Sequence, residues 1–285
     1  ERNKTMKRLC SSLLLAAGLA ALPHAWAEDA PTWTFTSKGA DVGQISDGNW
    51  TFWVHRRSST STEWRLEDAN KAGGYLAGAG DLDMSALQPW EGCTTLTIDA
   101  APTAAEGVEN KFTDVVTKLV FPSFLGENTP PQWCRNSGDN KSYCPNVTEV
   151  DFSRCENVTA LPAMFTQGHA KLTTLRLPAT LSSVPQNATF AGPALNAIYW
   201  NGPVPTFTGS GFGTFWNKKD FTTNYVLRAY KDGWAALCDD NYPLEENKVG
   251  QLKNDYKGSH DGHSEFVYVV FTPFKEKKGM TIFVR

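Results

Sequence analysis

Residues 172–190 read LTTLRLPATLSSVPQNATF. The first six residues carry leucine at positions one, four and six, so the last two apolar side chains alternate with a polar one. This alternation predicts a short β-strand with one buried face. Pro178 then marks a turn, and Leu181, Val184 and Phe190 supply further apolar residues before the next such segment.

The same six-residue pattern, apolar-x-x-apolar-x-apolar, occurs five times. Its apolar positions are Cys93-Leu96-Ile98, Val116-Leu119-Phe121, Val147-Val150-Phe152, Leu172-Leu175-Leu177 and Leu195-Ile198-Trp200. The patterns start 23, 31, 25 and 23 residues apart, and the longest step contains the segment between Cys134 and Cys144. A unit of about 23 residues cannot bury its apolar face alone, whereas stacked units form a continuous core. The spacing therefore predicts a β-rich solenoid.

Residues 172–190 resemble a repeat of the BspA-like class of bacterial leucine-rich repeats. Gly92-Cys93 is similar to the glycine-cysteine pair that often precedes a strand in that family, and residues 225–234 (YVLRAYKDGW) are similar to its closing unit. Thr189 departs from the family pattern because it interrupts the usual alanine-phenylalanine pair. The resemblance covers residues 93–237. It implies a leucine-rich-repeat array in a secreted or surface-associated protein that takes part in attachment.

The segments on either side of this region are predicted to be β-rich. Residues 28–92 contain aromatic, β-forming stretches with a hairpin turn expected at Asp47-Gly48, and we expect them to form an N-terminal cap over the first repeat. A separate carbohydrate-binding β-sandwich is the alternative. Residues 238–285 are predicted to be a linker followed by a hairpin-like C-terminal β segment, which either packs on the last repeat or belongs to a longer protein.

Five tryptophans lie close together in the N-terminal segment: Trp33, Trp50, Trp53, Trp64 and Trp90. Their rings could stack on sugars, but such aromatic residues more often bury large areas in a core. We therefore favour a structural role for them.

The N-terminus has the pattern of an export signal. Met6 is the expected start, and Lys7 and Arg8 precede the apolar run of residues 9–22. Small residues stand at both positions that a signal peptidase recognises before Glu28, which predicts a signal peptide over residues 6–27 and cleavage after Ala27. The product is expected to be secreted, periplasmic or displayed on the cell surface, and no later segment is apolar enough for a transmembrane helix.

Removal of the signal leaves five cysteines, so at least one cannot be paired. A Cys134–Cys144 disulfide would close a polar loop in an oxidising compartment. The alternative is that Cys93, Cys144 and Cys155 are small buried hydrophobic residues.

Charge and motifs exclude several classes of function. Without residues 1–27 the chain carries 23 basic and 29 acidic residues and no basic block, which disfavours nucleic-acid binding. No phosphate-binding loop, nucleophile elbow or zinc-ligand spacing is present. The tight cluster His260-Asp261-Gly262-His263 is interpreted as a solvated loop. We therefore expect neither a catalytic residue, nor a metal site, nor a cofactor.

The remaining candidate is the solvent-facing side of the predicted strands. Stacked parallel strands would bring their outward residues into rows, and the candidate ligand-binding residues are Lys118, Glu149, Asp151, Arg176 and Tyr199. Neighbouring opposite charges can also be purely stabilising. We predict a non-catalytic binding or adhesion protein for a protein or glycan of a host or neighbouring cell. The alternatives are an exported polysaccharide-acting enzyme on a parallel β-helix, or a spacer that displays a missing C-terminal module.

Overall fold

The computed structural model describes residues 31–66, 74–98, 108–109, 111–126, 129–131, 143–187, 189–200 and 202–209. Beyond these it describes the short segments 225–229, 234–237, 249–251, 259–260, 263–264 and 267–271. The predicted signal peptide, Cys134 and most of the C-terminal segment lie outside the described residues.

The described residues form mostly β-structure, which confirms the β-rich prediction. The helices are α1 (Phe112–Val115) and a 3-10 helix (Trp234–Leu237). The strands before residue 130 are β1 (Thr34–Ser37), β2 (Val42–Ser46), β3 (Thr51–Arg56), β4 (Glu63–Leu66), β5 (Tyr75–Ala77), β6 (Gly80–Asp83), β7 (Thr95–Thr97) and β8 (Val116–Val120). The later strands are β9 (Glu149–Asp151), β10 (Thr174–Leu177), β11 (Ser183–Pro185), β12 (Ala197–Trp200), β13 (Thr206–Thr208), β14 (Tyr225–Ala229), β15 (Val249–Gln251), β16 (Ser259–His260), β17 (His263–Ser264) and β18 (Val267–Phe271).

The N-terminal sheet has the order β1-β2-β3-β4-β7, with β5 also paired to β3. All its pairs are antiparallel except β4–β7. The turn predicted at Asp47-Gly48 joins β2 to β3: Gly48 has a φ of 93°, and the Asp47 carboxylate accepts hydrogen bonds from the backbone N–H groups of Asn49 and Trp50. A positive φ favours glycine at this position.

The second sheet has the order β15-β18-β14-β12-β10-β9-β8-β6. Parallel pairs join β6, β8, β9, β10, β12, β14 and β18 in that order, and only β15 is antiparallel to its neighbour. The central apolar residue of each pattern lies beside that of the next strand, so Leu119, Val150, Leu175 and Ile198 form one buried row. Four of the five predicted patterns therefore lie side by side in chain order.

The first pattern does not join this row, contrary to expectation. Its strand β7 pairs with β4 in the N-terminal sheet, where Thr97 donates a hydrogen bond to the Glu63 carboxylate. The position next to β8 is taken by β6 instead. Leu82 and Met84 are fully buried there, and Met84 N–H donates to the Val120 carbonyl as Phe121 N–H does to Asp151.

Residues just before the strands connect one unit to the next. The N–H of Thr148 donates to the Thr117 carbonyl, that of Thr173 to Thr148, and that of Asn196 to Thr173. The hydroxyls of Thr148 and Thr173 donate to the same carbonyls as their own N–H groups. The segments that follow β9, β10 and β12 form a second ladder. In this ladder Ala160 pairs with Ser183, and β11 pairs with β13, both in parallel. The segments that contain β9, β10 and β12 are thus hydrogen-bonded to one another at two places.

Side chains close the outer edge of β6. The indole N–H groups of Trp33 and Trp50 donate to the carbonyls of Asp83 and Asp81, both at 2.7 Å, and the Asn49 amide donates to the Ala79 carbonyl at 3.1 Å. Asp81 and Asp83 are two residues apart in β6, and Ala79 directly precedes the strand. Their carbonyls point to the side where another strand would pair. The donors therefore take the place of a neighbouring strand.

This arrangement supports the structural role that we expected for the tryptophans. Trp50 and Trp64 are buried, and the two sheets share one hydrophobic cluster. Gly78 has a φ of 130°, and the Trp50 ring occupies the space where a Cβ at Gly78 would lie. Trp33, Trp53 and Trp90 are half-buried.

We expect Trp50→Phe to lower the free energy of unfolding by about 1–3 kcal/mol, because it leaves the Asp81 carbonyl without its donor. Trp53→Phe is the matched control: Trp53 makes no side-chain hydrogen bond within the described structure, so its loss should cost less than about 1 kcal/mol. Denaturant unfolding measures both. Equal costs for the two variants would contradict the capping role of the indole.

Candidate functional site

The candidate site is the outward face of the parallel sheet. Leu119, Val150 and Leu175 point into the core, so the residues on either side of each point to the opposite face. Strand pairing places Lys118 beside Glu149 in one row, and Asp151, Arg176 and Tyr199 consecutively in another. All five predicted residues therefore lie on adjacent strands, and each is half-buried.

Glu149 lies between two cationic side chains. Its Oε1 accepts a hydrogen bond from Arg176 Nε at 2.8 Å, and its Oε2 lies 3.5 Å from Lys118 Nζ. Asp151 Oδ2 lies 3.7 Å from Arg176 Nε. The opposite charges on neighbouring strands thus stabilise one another, as the alternating pattern indicated.

Arg176 is held on a second side by an aromatic ring. Its guanidinium carbon lies 4.3 Å from the centre of the Tyr199 ring, which is a cation–π contact. Desolvation of the guanidinium acts to lower the pKa of Arg176, but the hydrogen bond from Nε to Glu149 and the charges of Glu149 and Asp151 outweigh it, so the pKa is raised. Arg176 is therefore a fixed cation at every physiological pH.

The terminal nitrogens of Arg176 remain available. Only its Nε is hydrogen-bonded within the described part of the chain, and 35% of the side chain is exposed. Nη1 and Nη2 together present two parallel N–H groups, which match the two oxygens of a carboxylate. The Nε of Arg176 is already hydrogen-bonded to Glu149, and one face of the guanidinium already packs on the Tyr199 ring. The guanidinium therefore loses little freedom when it binds such a ligand.

Two acidic residues that we had not predicted extend the face. Asp81 and Asp83 on β6 pair with Lys118 and Val120, and Asp81 Oδ1 accepts a hydrogen bond from the Thr117 hydroxyl. Asp83 Oδ1 accepts from Ser85 N–H, as Asp151 Oδ1 does from Ser153 N–H. The signal for β6 was the alternation of Leu82 and Met84, which repeats the end of the six-residue pattern.

The described cysteines, Cys93, Cys144 and Cys155, are buried. Burial, and then the charge of Asp114, raise the pKa of Cys144 to about 12, and burial raises that of Cys93 to about 11. Cys155 donates to the Pro122 carbonyl. Cys134 lies outside the described residues, so the Cys134–Cys144 disulfide stays a prediction.

The described part of the chain contains no group of three or more His, Cys, Asp or Glu side chains that could hold a metal ion. None of its helices has the length and apolar character needed to cross a membrane.

Comparison with known proteins identifies no relative: no family model, curated protein or solved structure matches the chain.

We expect a double-mutant cycle between Arg176→Ala and Tyr199→Leu to give a coupling energy of about 0.5–1 kcal/mol in denaturant unfolding, since each change removes the same cation–π contact. Tyr199→Phe keeps the ring and should keep the coupling. A cycle between Arg176→Ala and Lys171→Ala should give none. Equal coupling in the Tyr199 and Lys171 cycles would show that Arg176 does not interact with the ring.

Proposed function

We propose that the chain is an exported leucine-rich-repeat protein of the BspA-like class, which binds an extracellular protein through the outward face of its parallel sheet and has no catalytic role. The observation that carries the binding proposal is Arg176, positioned by Glu149 and Tyr199 with its terminal nitrogens free to bind.

Spacing and register support the repeat assignment. Successive strands β9, β10 and β12 start at equivalent positions 25 and 23 residues apart and pair in parallel. The hydrogen bonds of Thr148 and Thr173 recur at the same place in successive units. A period of 20–29 residues with a recurring parallel strand in each unit is typical of leucine-rich repeats.

The charges on the face favour a protein partner over a glycan. Asp81 and Asp83 lie on β6, and Arg176 lies three strands further along, about 14 Å away at the usual strand spacing, with Tyr199 on the next strand. A partner of complementary charge carries an acidic side chain for Arg176 and a basic one for Asp81. Arginine and tyrosine are also among the residues that most often dominate protein interfaces.

Export is supported by the sequence of residues 6–27, and the proposed product begins at Glu28. Secretion or surface display would place the outward face in contact with proteins of a host or neighbouring cell. This is the role that the BspA-like resemblance implies.

The test is binding of the purified protein to arrays of extracellular-matrix proteins and of glycans. We expect binding to protein spots that falls by about tenfold or more in Arg176→Lys, because lysine keeps the charge but loses the planar pair of donors and the stacking. Tyr199→Leu should weaken the same spots.

The matched control is Lys171→Ala, which removes one positive charge from a lysine that lies before β10 and donates to Asn146. Its binding should equal that of the parent. Absence of binding on both arrays, binding that is unchanged in Arg176→Lys, or binding to glycans alone would each refute the proposal.

A further inference from the structure

The edges of the N-terminal half differ in how they are closed. The outer carbonyls of β6 accept hydrogen bonds from Trp33, Trp50 and Asn49. Strand β7 is covered on its outer side, because Leu96 N–H donates to the Phe124 carbonyl and the Leu96 carbonyl accepts from Gly126 N–H. None of the described residues pairs with the outer side of β1.

The hydrogen-bonding phase of β1 identifies which of its backbone groups point outward. Lys38 N–H donates to the Val42 carbonyl, and the same register pairs Thr36 with Gln44 and Thr34 with Ser46. Hydrogen-bonded pairs alternate with non-bonded pairs in an antiparallel ladder. The N–H and C=O groups of Trp33, Phe35 and Ser37 therefore face the outer edge.

The strand itself lacks the features that normally prevent strand pairing, and Pro31 and Lys38 flank it on either side. Residues 32–37 (TWTFTS) contain no charge and no proline, and their threonines and aromatic residues favour extended backbone. Natural sheets usually protect exposed edges with charges, prolines or bulges. An uncharged edge of this composition is suited to adding a further strand.

The edge is complementary to itself. In an antiparallel pair of two copies centred on Phe35, the outward backbone groups of Phe35 meet those of the second Phe35, and those of Trp33 meet those of Ser37. Every outward N–H and C=O over residues 33–37 then has a partner. The exposed side chains of Thr34 and Thr36 lie opposite each other, and Lys38 lies opposite Thr32, so no like charges face each other.

We propose that β1 is a homodimerisation edge, on which a second copy of this chain pairs its own β1 in antiparallel orientation about a two-fold axis at Phe35. The N-terminal sheet would then continue through both copies. The dimer would also present two outward faces, so that a repetitive surface could be bound at two points with increased avidity.

The experiment is sedimentation velocity of the purified protein over a series of concentrations. We expect a reversible monomer–dimer equilibrium. Thr34→Lys combined with Thr36→Lys places two lysines opposite each other on both sides of the axis, and should weaken the dimer by about tenfold or more at low salt.

The matched variant combines Thr34→Glu with Thr36→Lys. It changes the same two exposed residues but places opposite charges across the axis, so it should dimerise at least as well as the parent. Both threonines are exposed, and thermal unfolding of the variants checks that the monomers stay folded. A parent that is monomeric at every concentration, or two variants that dimerise equally, would overturn the proposal. Because no ligand is used, the result is independent of the proposed binding function.

Discussion

The structure depends on the parallel register of the second sheet. Leu119, Val150, Leu175 and Ile198 form one buried row because their strands begin level with each other. The ladder through Thr117, Thr148, Thr173 and Asn196 brings the strands to the same starting point, and the threonine hydroxyls reinforce it. A slip of one residue in any strand would turn its buried residues to the solvent.

The same register creates the candidate site. Lys118, Glu149 and Arg176 come from units separated by more than twenty residues, and they meet only because their strands begin level with each other. Glu149 can contact both cations since it lies on the strand between them. Arg176 is then held by Glu149 on one side and by Tyr199 on the other. The proposed binding function therefore inherits its geometry from the fold.

Much of this arrangement could be predicted from the sequence, because stacking repeats the same local pattern. The apolar positions of four units, and with them the outward residues, follow from alternation in a strand. The position of β7 could not be predicted, since its pattern equals the others. Thr94 and Thr97 hydrogen-bond to Thr62 and Glu63 beside and in β4, and the six-residue pattern carries no signal for these contacts. The edge cap could not be predicted either. Trp33 and Trp50 act through single N–H groups on carbonyls more than thirty residues away, and aromatic clusters give no signal for such a bond.

The most direct test of the account is cross-linking between neighbouring units. Thr174 and Ala197 are partners in the parallel register, so Thr174→Cys combined with Ala197→Cys should form a disulfide under mild oxidation, mapped by mass spectrometry. Thr174→Cys combined with Tyr199→Cys is offset by two residues, about 8 Å apart, and should not. A bridge in the first variant alone is the predicted result; a bridge in the offset variant alone, or in neither, would contradict the register on which the fold and the site depend.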